Sequence, residues 1–207
     1  MTPDFSDTTD FEDADRGFVD RLDPCTVTDA DGRAVWDMQE YAFLSGDCPD
    51  TADPSLWRQS QLCAKDGLYE VTEGIYQLRG IDLSNMTIVE GETGVLVIDP
   101  LISQETAAAA LALYRKNRGD RPVTGVIYTH SHIDHFGGVF GVLPDGRGDV
   151  PILAPEGSSN TRSPRTSTPE RQWAGAPPTC TDRCCPRVRA GTSVRGSERT
   201  RRPAGRG

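Results

Sequence analysis

The three histidines of this 207-residue chain lie within one six-residue segment. The sequence around them is Thr129-His130-Ser131-His132-Ile133-Asp134-His135, followed by Phe136, Gly137 and Gly138. Imidazole nitrogens and carboxylate oxygens are zinc ligands in proteins, at about 2.0–2.2 Å. In a turning loop, His130 and His132 can point the same way, while Asp134 and His135 follow toward a second point. The spacing predicts two adjacent metals that share and activate one water. A solvated polar loop is the alternative.

The predicted secondary structure places this segment, here called the histidine segment, at one edge of a sheet. Short apolar runs separated by turns predict strands at 67–71, 75–79, 86–90 and 95–99, with antiparallel neighbours. Ser103 as N-cap and Gly119 as the stop bound a predicted helix from 103 to 117. Strands are also predicted at 123–128 and 150–154. The histidine segment leaves the first of these, and α/β sheets present ligand-binding groups at such strand ends.

Charge is distributed unevenly along the chain, whose net charge is −9. Residues 1–157 carry 28 acidic and 11 basic side chains, whereas residues 158–207 carry 11 arginines and three acids. We predict an acidic disordered leader (1–16), an N-terminal arm (17–63), a partial α/β domain (64–157) and a disordered Arg/Pro-rich tail (158–207). No long apolar run and no export signal is found, so a cytoplasmic protein without a membrane segment is expected.

Several segments carry a resemblance to a known family. The histidine segment resembles the metal-binding signature of the metallo-β-lactamase superfamily. Five further segments resemble the alkyl sulfatases of that superfamily, at residues 54–59, 67–71, 80–87, 97–101 and 105–110. The resemblance extends over residues 17–157, which are 141 of the 207. It implies a partial αββα metallo-β-lactamase fold.

The resemblance also implies a reaction and a site. The expected reaction is cleavage of primary alkyl sulfate esters of the dodecyl sulfate type to an alcohol and sulfate, with two zinc ions. His130 and His132 are then ligands of one zinc. Asp134, also assigned as the catalytic residue, and His135 are ligands of the other. Asp99 is then the carboxylate that orients a metal-binding imidazole, and a turn-capping acid is the alternative.

Four other residues have weaker assignments. Trp57 and Arg58 could contact the alkyl chain and the sulfate group of a substrate, since Arg suits oxyanions. The alternative is that this pair anchors the arm to the domain. Ser84 and Asn85 lie within one of the segments that resemble the family, and only turn chemistry is assigned to them.

The resemblance ends near Gly157. The later metal ligands of the family, its dimerisation region and its C-terminal domain have no counterpart in residues 158–207, so the zinc site is expected to be incomplete. The composition of this tail predicts out-of-frame reading after about codon 157. An arginine-rich tail that binds nucleic acid or acidic surfaces is the rival interpretation, but Trp173 is its only aromatic residue. A catalytically inactive fragment, or another hydrolase of the same fold, are the alternative functions.

Overall fold

The computed structural model describes residues 6–144 and 148–156, all within the unit Met1–Ser163. The strands in these residues are β1 (Phe18–Asp20), β2 (Thr26–Thr28), β3 (Ala34–Asp37), β4 (Gly67–Thr72), β5 (Ile75–Arg79), β6 (Met86–Glu90), β7 (Val95–Ile98), β8 (Val123–Ile127) and β9 (Ile152–Leu153). The helices are α1 (Thr9–Asp15), α2 (Pro54–Cys63), α3 (Gln104–Arg118) and α4 (Val139–Val142). Two 3-10 helices cover Met38–Ser45 and Ile133–His135. The predicted tail, 158–207, lies outside the described residues.

A seven-stranded sheet in the order β1-β4-β5-β6-β7-β8-β9 forms the centre of the described residues. Neighbours are antiparallel from β1 to β7, whereas β8 runs parallel to both β7 and β9. Alternating apolar residues explain the pairing of β5 with β6, because Tyr76 lies opposite Ile88 and Leu78 opposite Met86, all four buried. The predicted α/β architecture with antiparallel neighbours is confirmed.

Helix α3 covers one face of this sheet. It begins after Ser103, whose hydroxyl oxygen accepts a hydrogen bond from the Thr106 amide at 3.1 Å, and it ends before Gly119, where φ is 91°. The centre of the Tyr114 ring lies 5.7 Å from the centre of the Tyr76 ring in β5. The helix therefore has the cap and the stop that the sequence predicted, with bounds shifted by one residue. No helix in the described part of the chain has both the length and the apolar character to cross a membrane.

Helix α1 lies where the sequence predicted a disordered leader. The Arg58 side chain of α2 donates to the Asp7 carbonyl at 2.6 Å and to Asp10 Oδ2 at 3.3 Å. Its guanidinium carbon also lies 4.7 Å from the centre of the Phe11 ring. These partners are about 50 positions apart in the chain, and no pattern within the leader reveals them. The structure thus has a helix at Thr9–Asp15, within the segment that the sequence predicted to be disordered.

The predicted arm at 17–63 contains several regular elements. Strand β1 joins the main sheet beside β4, and β2 and β3 form a separate two-stranded sheet. The Trp36 indole N–H donates to the Gly80 carbonyl at 2.9 Å and ties that small sheet to the loop after β5. Asp53 caps α2, accepting from the Ser55 and Leu56 amides at 2.9 and 3.1 Å.

A buried carboxylate, Asp82, joins the loop after β5 to the start of α3. Its side chain accepts from the Ile102 amide at 3.1 Å, from the Thr106 hydroxyl at 2.5 Å and from the Leu83 amide. Asp82 is 4% exposed. Burial raises the pKa of Asp82 to about 6, although these hydrogen bonds act in the opposite direction. The charge of this side chain therefore costs stability at neutral pH.

The substitution Asp82→Asn is expected to gain stability relative to the wild type as the pH rises from about 5.5 to about 7.5. The pKa of Asp82 is about 6 in the folded chain, whereas the ordinary pKa of an aspartate, which applies in the unfolded chain, is 3.8. The wild type therefore loses stability as the pH rises through the folded value, whereas asparagine does not titrate. The relative gain is roughly 1 kcal/mol, measured by urea unfolding of the metal-free chain at both pH values.

The exposed acid Glu92 provides the control for this measurement. Glu92→Gln is expected to follow the pH dependence of the wild type. If Asp82→Asn also follows the wild type across this range, then the carboxyl of Asp82 does not titrate there and its raised pKa is contradicted.

Candidate metal centre

The histidine segment begins where β8 ends, as predicted. Tyr128 and Thr129 leave the strand, the residues Ile133–His135 form a 3-10 helix, and α4 follows. Two glycines allow this turn to lie against the loop before α3. A Cβ atom on Gly137 would lie 2.1 Å from the Ile102 carbonyl oxygen, and one on Gly138 would lie 2.1 Å from the Pro100 carbonyl oxygen. Both positions therefore require glycine.

Asp99 follows β7 and lies in a strained turn beside the histidine segment. Its φ is 54°, and that of Leu101 is 63°, a region that leucine rarely adopts. Backbone hydrogen bonds hold the turn, since the Leu101 amide donates to the Asp99 carbonyl and the Gly138 amide to the Leu101 carbonyl, both at 2.8 Å. Backbone strain of this kind persists only where the surrounding structure enforces it, and it concentrates at functional sites.

The Asp99 carboxylate accepts three hydrogen bonds from the histidine segment. The Thr129 amide donates to Oδ1 at 2.8 Å, the Thr129 hydroxyl donates to Oδ2 at 2.6 Å, and His135 Nδ1 lies 2.9 Å from Oδ2. A carboxylate only accepts, so Nδ1 carries the proton and Nε2 of a neutral His135 keeps its lone pair. That Nε2 atom lies 3.3 Å from Asp134 Oδ2. One imidazole nitrogen and one carboxylate oxygen are thus side by side.

His130 is oriented through the same network. The Thr129 hydroxyl donates its one proton to Asp99, so its oxygen can only accept a hydrogen bond from His130 Nδ1, at 2.9 Å. Nε2 of a neutral His130 therefore also keeps its lone pair. The His130 ring centre lies 4.0 Å from that of His135 and 4.7 Å from that of the exposed His132. The three predicted histidines and Asp134 are brought together.

The donor set of this cluster fits a divalent metal ion. Ligand atoms of Asp99, His130 and His135 lie within 4.8 Å of one another. Burial raises the pKa of Tyr128, which precedes the segment, to about 12, so the phenol stays neutral at working pH. Negative charge near the imidazoles therefore comes from the two aspartates of the site. Nitrogen and carboxylate ligands in such a group suit zinc.

Trp57 and Arg58, the predicted substrate contacts, are engaged elsewhere. The Trp57 indole N–H donates to the Gly46 carbonyl at 3.2 Å, and its ring centre lies 5.9 Å from that of Phe43. Arg58 contacts the leader, as described above. These are the anchoring contacts of the alternative interpretation. Substrate contact by the two side chains stays a prediction.

Two residues near the site were not assigned to it from the sequence. Thr129 connects Asp99 with His130, and its place immediately before the first histidine was the available signal. Ser84 donates from its hydroxyl to the Asp134 backbone carbonyl. It lies 50 positions away in the chain, and turn chemistry was all that its sequence context indicated.

Part of the chain is similar to proteins of known family. Residues 79–158 match the metallo-β-lactamase superfamily. A linear primary-alkylsulfatase from Pseudomonas sp. is 54% identical over 158 residues, which are 74% of this chain and 23% of that protein. An alkyl/aryl-sulfatase from Saccharomyces cerevisiae is 48% identical over 157 residues, 74% of this chain and 24% of that protein.

A solved structure gives the same result for the fold. The stereoselective inverting sec-alkylsulfatase from Pseudomonas sp. aligns with a TM-score of 0.70 and 45% identity, over 75% of this chain and 25% of that one. The chain therefore spans about a quarter of the length of the relatives it matches. The fold expected from the resemblance is confirmed for the aligned part.

Asp99→Asn is expected to change the tautomer of His135. In the variant, the Thr129 amide still donates to the side-chain oxygen of the new asparagine. The NH₂ group of that asparagine then faces His135 Nδ1, which must accept a hydrogen bond from it. The proton moves to Nε2. Nitrogen NMR of the metal-free chain at about pH 8 measures this, with His132 as the internal control. Persistence of the proton on Nδ1 in the variant would mean that Asp99 does not select the tautomer.

Proposed function

We propose that the chain carries the histidine centre of a metal-dependent hydrolase of alkyl sulfate esters, because residues 79–158 match the metallo-β-lactamase superfamily and 74% of the chain aligns with an alkylsulfatase. The observation that carries the proposal is the 2.9 Å contact between Asp99 Oδ2 and His135 Nδ1. It directs the Nε2 lone pair of His135 to the side where Asp134 lies.

Two zinc ions are the proposed cofactor. His130 and His132, whose ring centres lie 4.7 Å apart, would hold one ion. Asp134 and His135, with Oδ2 and Nε2 3.3 Å apart, would hold the other. When bound, zinc lowers the pKa of a coordinated water and polarises the ester. Two ligands per ion are fewer than the three protein ligands of catalytic zinc sites, so moderate zinc affinity is expected of these residues alone.

The protein groups have separate tasks in this proposal. Asp99 holds a proton on His135 Nδ1 and, through the Thr129 hydroxyl, orients His130. Asp134 is the proposed catalytic carboxylate. Its side chain is 22% exposed, so it can accept a hydrogen bond from a water at the solvent side of the site. Holding these groups in place before substrate arrives reduces the reorganisation that the reaction requires.

Primary alkyl sulfates of the dodecyl sulfate type are the proposed substrates. The support is the higher identity to the linear primary-alkylsulfatase, 54%, than to the sec-alkylsulfatase of known structure, 45%. The two relatives align with nearly the same share of this chain, 74% and 75%. Octyl sulfate and its secondary isomer (R)-2-octyl sulfate form a matched pair that separates the two specificities, and both are milder detergents than dodecyl sulfate.

The 207-residue chain is expected to bind two zinc ions and to release sulfate from octyl sulfate. Zinc is measured by titration of the metal-free chain, and sulfate by ion chromatography. His130→Ala/His135→Ala is the control, because it removes two imidazoles and keeps all six cysteines, which could bind zinc through thiolates. The control is expected to bind no zinc beyond that of the thiols. Release from octyl sulfate is expected to exceed release from the secondary isomer at least tenfold.

The other outcomes distinguish the alternatives. Equal zinc binding by the wild type and the control contradicts a metal site at the histidine segment. Zinc binding without release of sulfate from either ester supports the catalytically inactive fragment. Zinc-dependent cleavage of a different ester or amide supports another hydrolase of the same fold.

A further inference from the structure

Ser84 connects the loop after β5 with the candidate metal centre. Its hydroxyl donates to the backbone carbonyl of Asp134, and the residue is 8% exposed. We propose that Ser84 is a positioning residue of the metal centre, which fixes the turn at Ile133–His135 so that Asp134 and His135 can bind the same ion. This inference rests on the proposed function.

The turn that carries Asp134 is a three-residue 3-10 helix whose N-cap residue, His132, makes no side-chain capping hydrogen bond. Its backbone hydrogen bonds go to two carbonyls: the His135 amide donates to that of His132 at 3.1 Å, and the next two amides donate to that of Ile133 at 3.2 and 2.7 Å. A helix this short leaves most of its carbonyls without a partner inside the helix. The Ser84 hydroxyl supplies the partner for the carbonyl of Asp134, which is the middle residue of the turn.

The loop that carries Ser84 is itself fixed to the fold. Asp82, two residues earlier, accepts from the Leu83 amide within the loop and from the Ile102 amide and the Thr106 hydroxyl at the start of α3. The loop at 100–103 is also the surface against which Gly137 and Gly138 lie. Ser84 therefore cannot follow the turn if the turn moves, and its hydroxyl sets the position of the Asp134 backbone.

The effect of Ser84 is expected on Asp134 rather than on His135. His135 is held through Nδ1 by Asp99, a contact that does not involve the Asp134 backbone. Asp134 has its carboxylate 3.3 Å from His135 Nε2, and a shift of its backbone changes this separation. Loss of the Ser84 hydroxyl therefore weakens the ligand pair and leaves the imidazole in place. Groups that orient metal ligands typically contribute about 10–100-fold to metal affinity.

The test compares Ser84→Ala with Ser45→Ala in the 207-residue chain. Ser45 is a matched control, because its hydroxyl donates to the Ala42 carbonyl of another 3-10 helix at 2.8 Å, in the arm. Zinc affinity is measured against a competing chelator, and the absorption spectrum of the Co²⁺-loaded chain reports the ligand geometry. Ser84→Ala is expected to weaken zinc binding about tenfold and to alter the cobalt spectrum. Ser45→Ala is expected to stay within twofold of the wild type.

Ser84→Thr restores the hydroxyl and is expected to return the affinity and the cobalt spectrum to those of the wild type. If the wild type binds zinc and Ser84→Ala binds it equally well, this inference is overturned and the proposed function stands. If the wild type binds no zinc, the proposed function fails first. If Ser84→Ala does not fold, as judged by circular dichroism, the threonine variant decides. Wild-type affinity then supports the inference, and weakened affinity overturns it.

Discussion

The hydrogen bonds of the Asp99 carboxylate are the constraint on which the rest of the site depends. β7 and β8 are parallel neighbours, so their carboxyl ends meet at one edge of the sheet and bring Asp99 beside Thr129. From there one carboxylate orients two imidazoles, His135 directly and His130 through the threonine hydroxyl. Both rings consequently direct Nε2 away from the protein network. The parallel pairing of two strands thus determines which nitrogen His130 and His135 offer.

The two buried aspartates near the site differ in what surrounds them. Asp82 has neutral donors, two amides and a hydroxyl, and burial dominates, so its pKa rises to about 6. Asp99 has an imidazole as one of its partners. A carboxylate that accepts from an imidazole orients the ring. A carboxylate that accepts from backbone amides and a hydroxyl mainly holds the backbone in place. The first therefore acts on ligands and the second on the loops that hold them.

Local sequence patterns predicted the elements whose stability is local. Strands at 75–79 and 86–90 and helix α3 have the expected bounds to within one residue, since alternation, a serine cap and a glycine stop act over a few positions. Helix α1 was not predicted because the contacts that hold its segment come from Arg58, about 50 positions away in the chain. The clustering of histidines was visible in the sequence, but the pairing of His135 with Asp99 required the strand order. Ser84 had no local signal, because its contact is with a carbonyl 50 positions away.

The histidine segment is held by contacts that involve no metal. Gly137 and Gly138 place the turn against the loop before α3, Ser84 supports the Asp134 carbonyl, and Asp99 orients the His130 and His135 rings. In many small metal domains, metal binding must also supply the free energy that orders the ligands. Here the network around Asp99 has already ordered two of them, His130 and His135, so zinc binding does not need to offset that part of the entropy. Affinity at this centre should then depend on the number of ligands available and on how the turn positions them, not on whether the loop is folded.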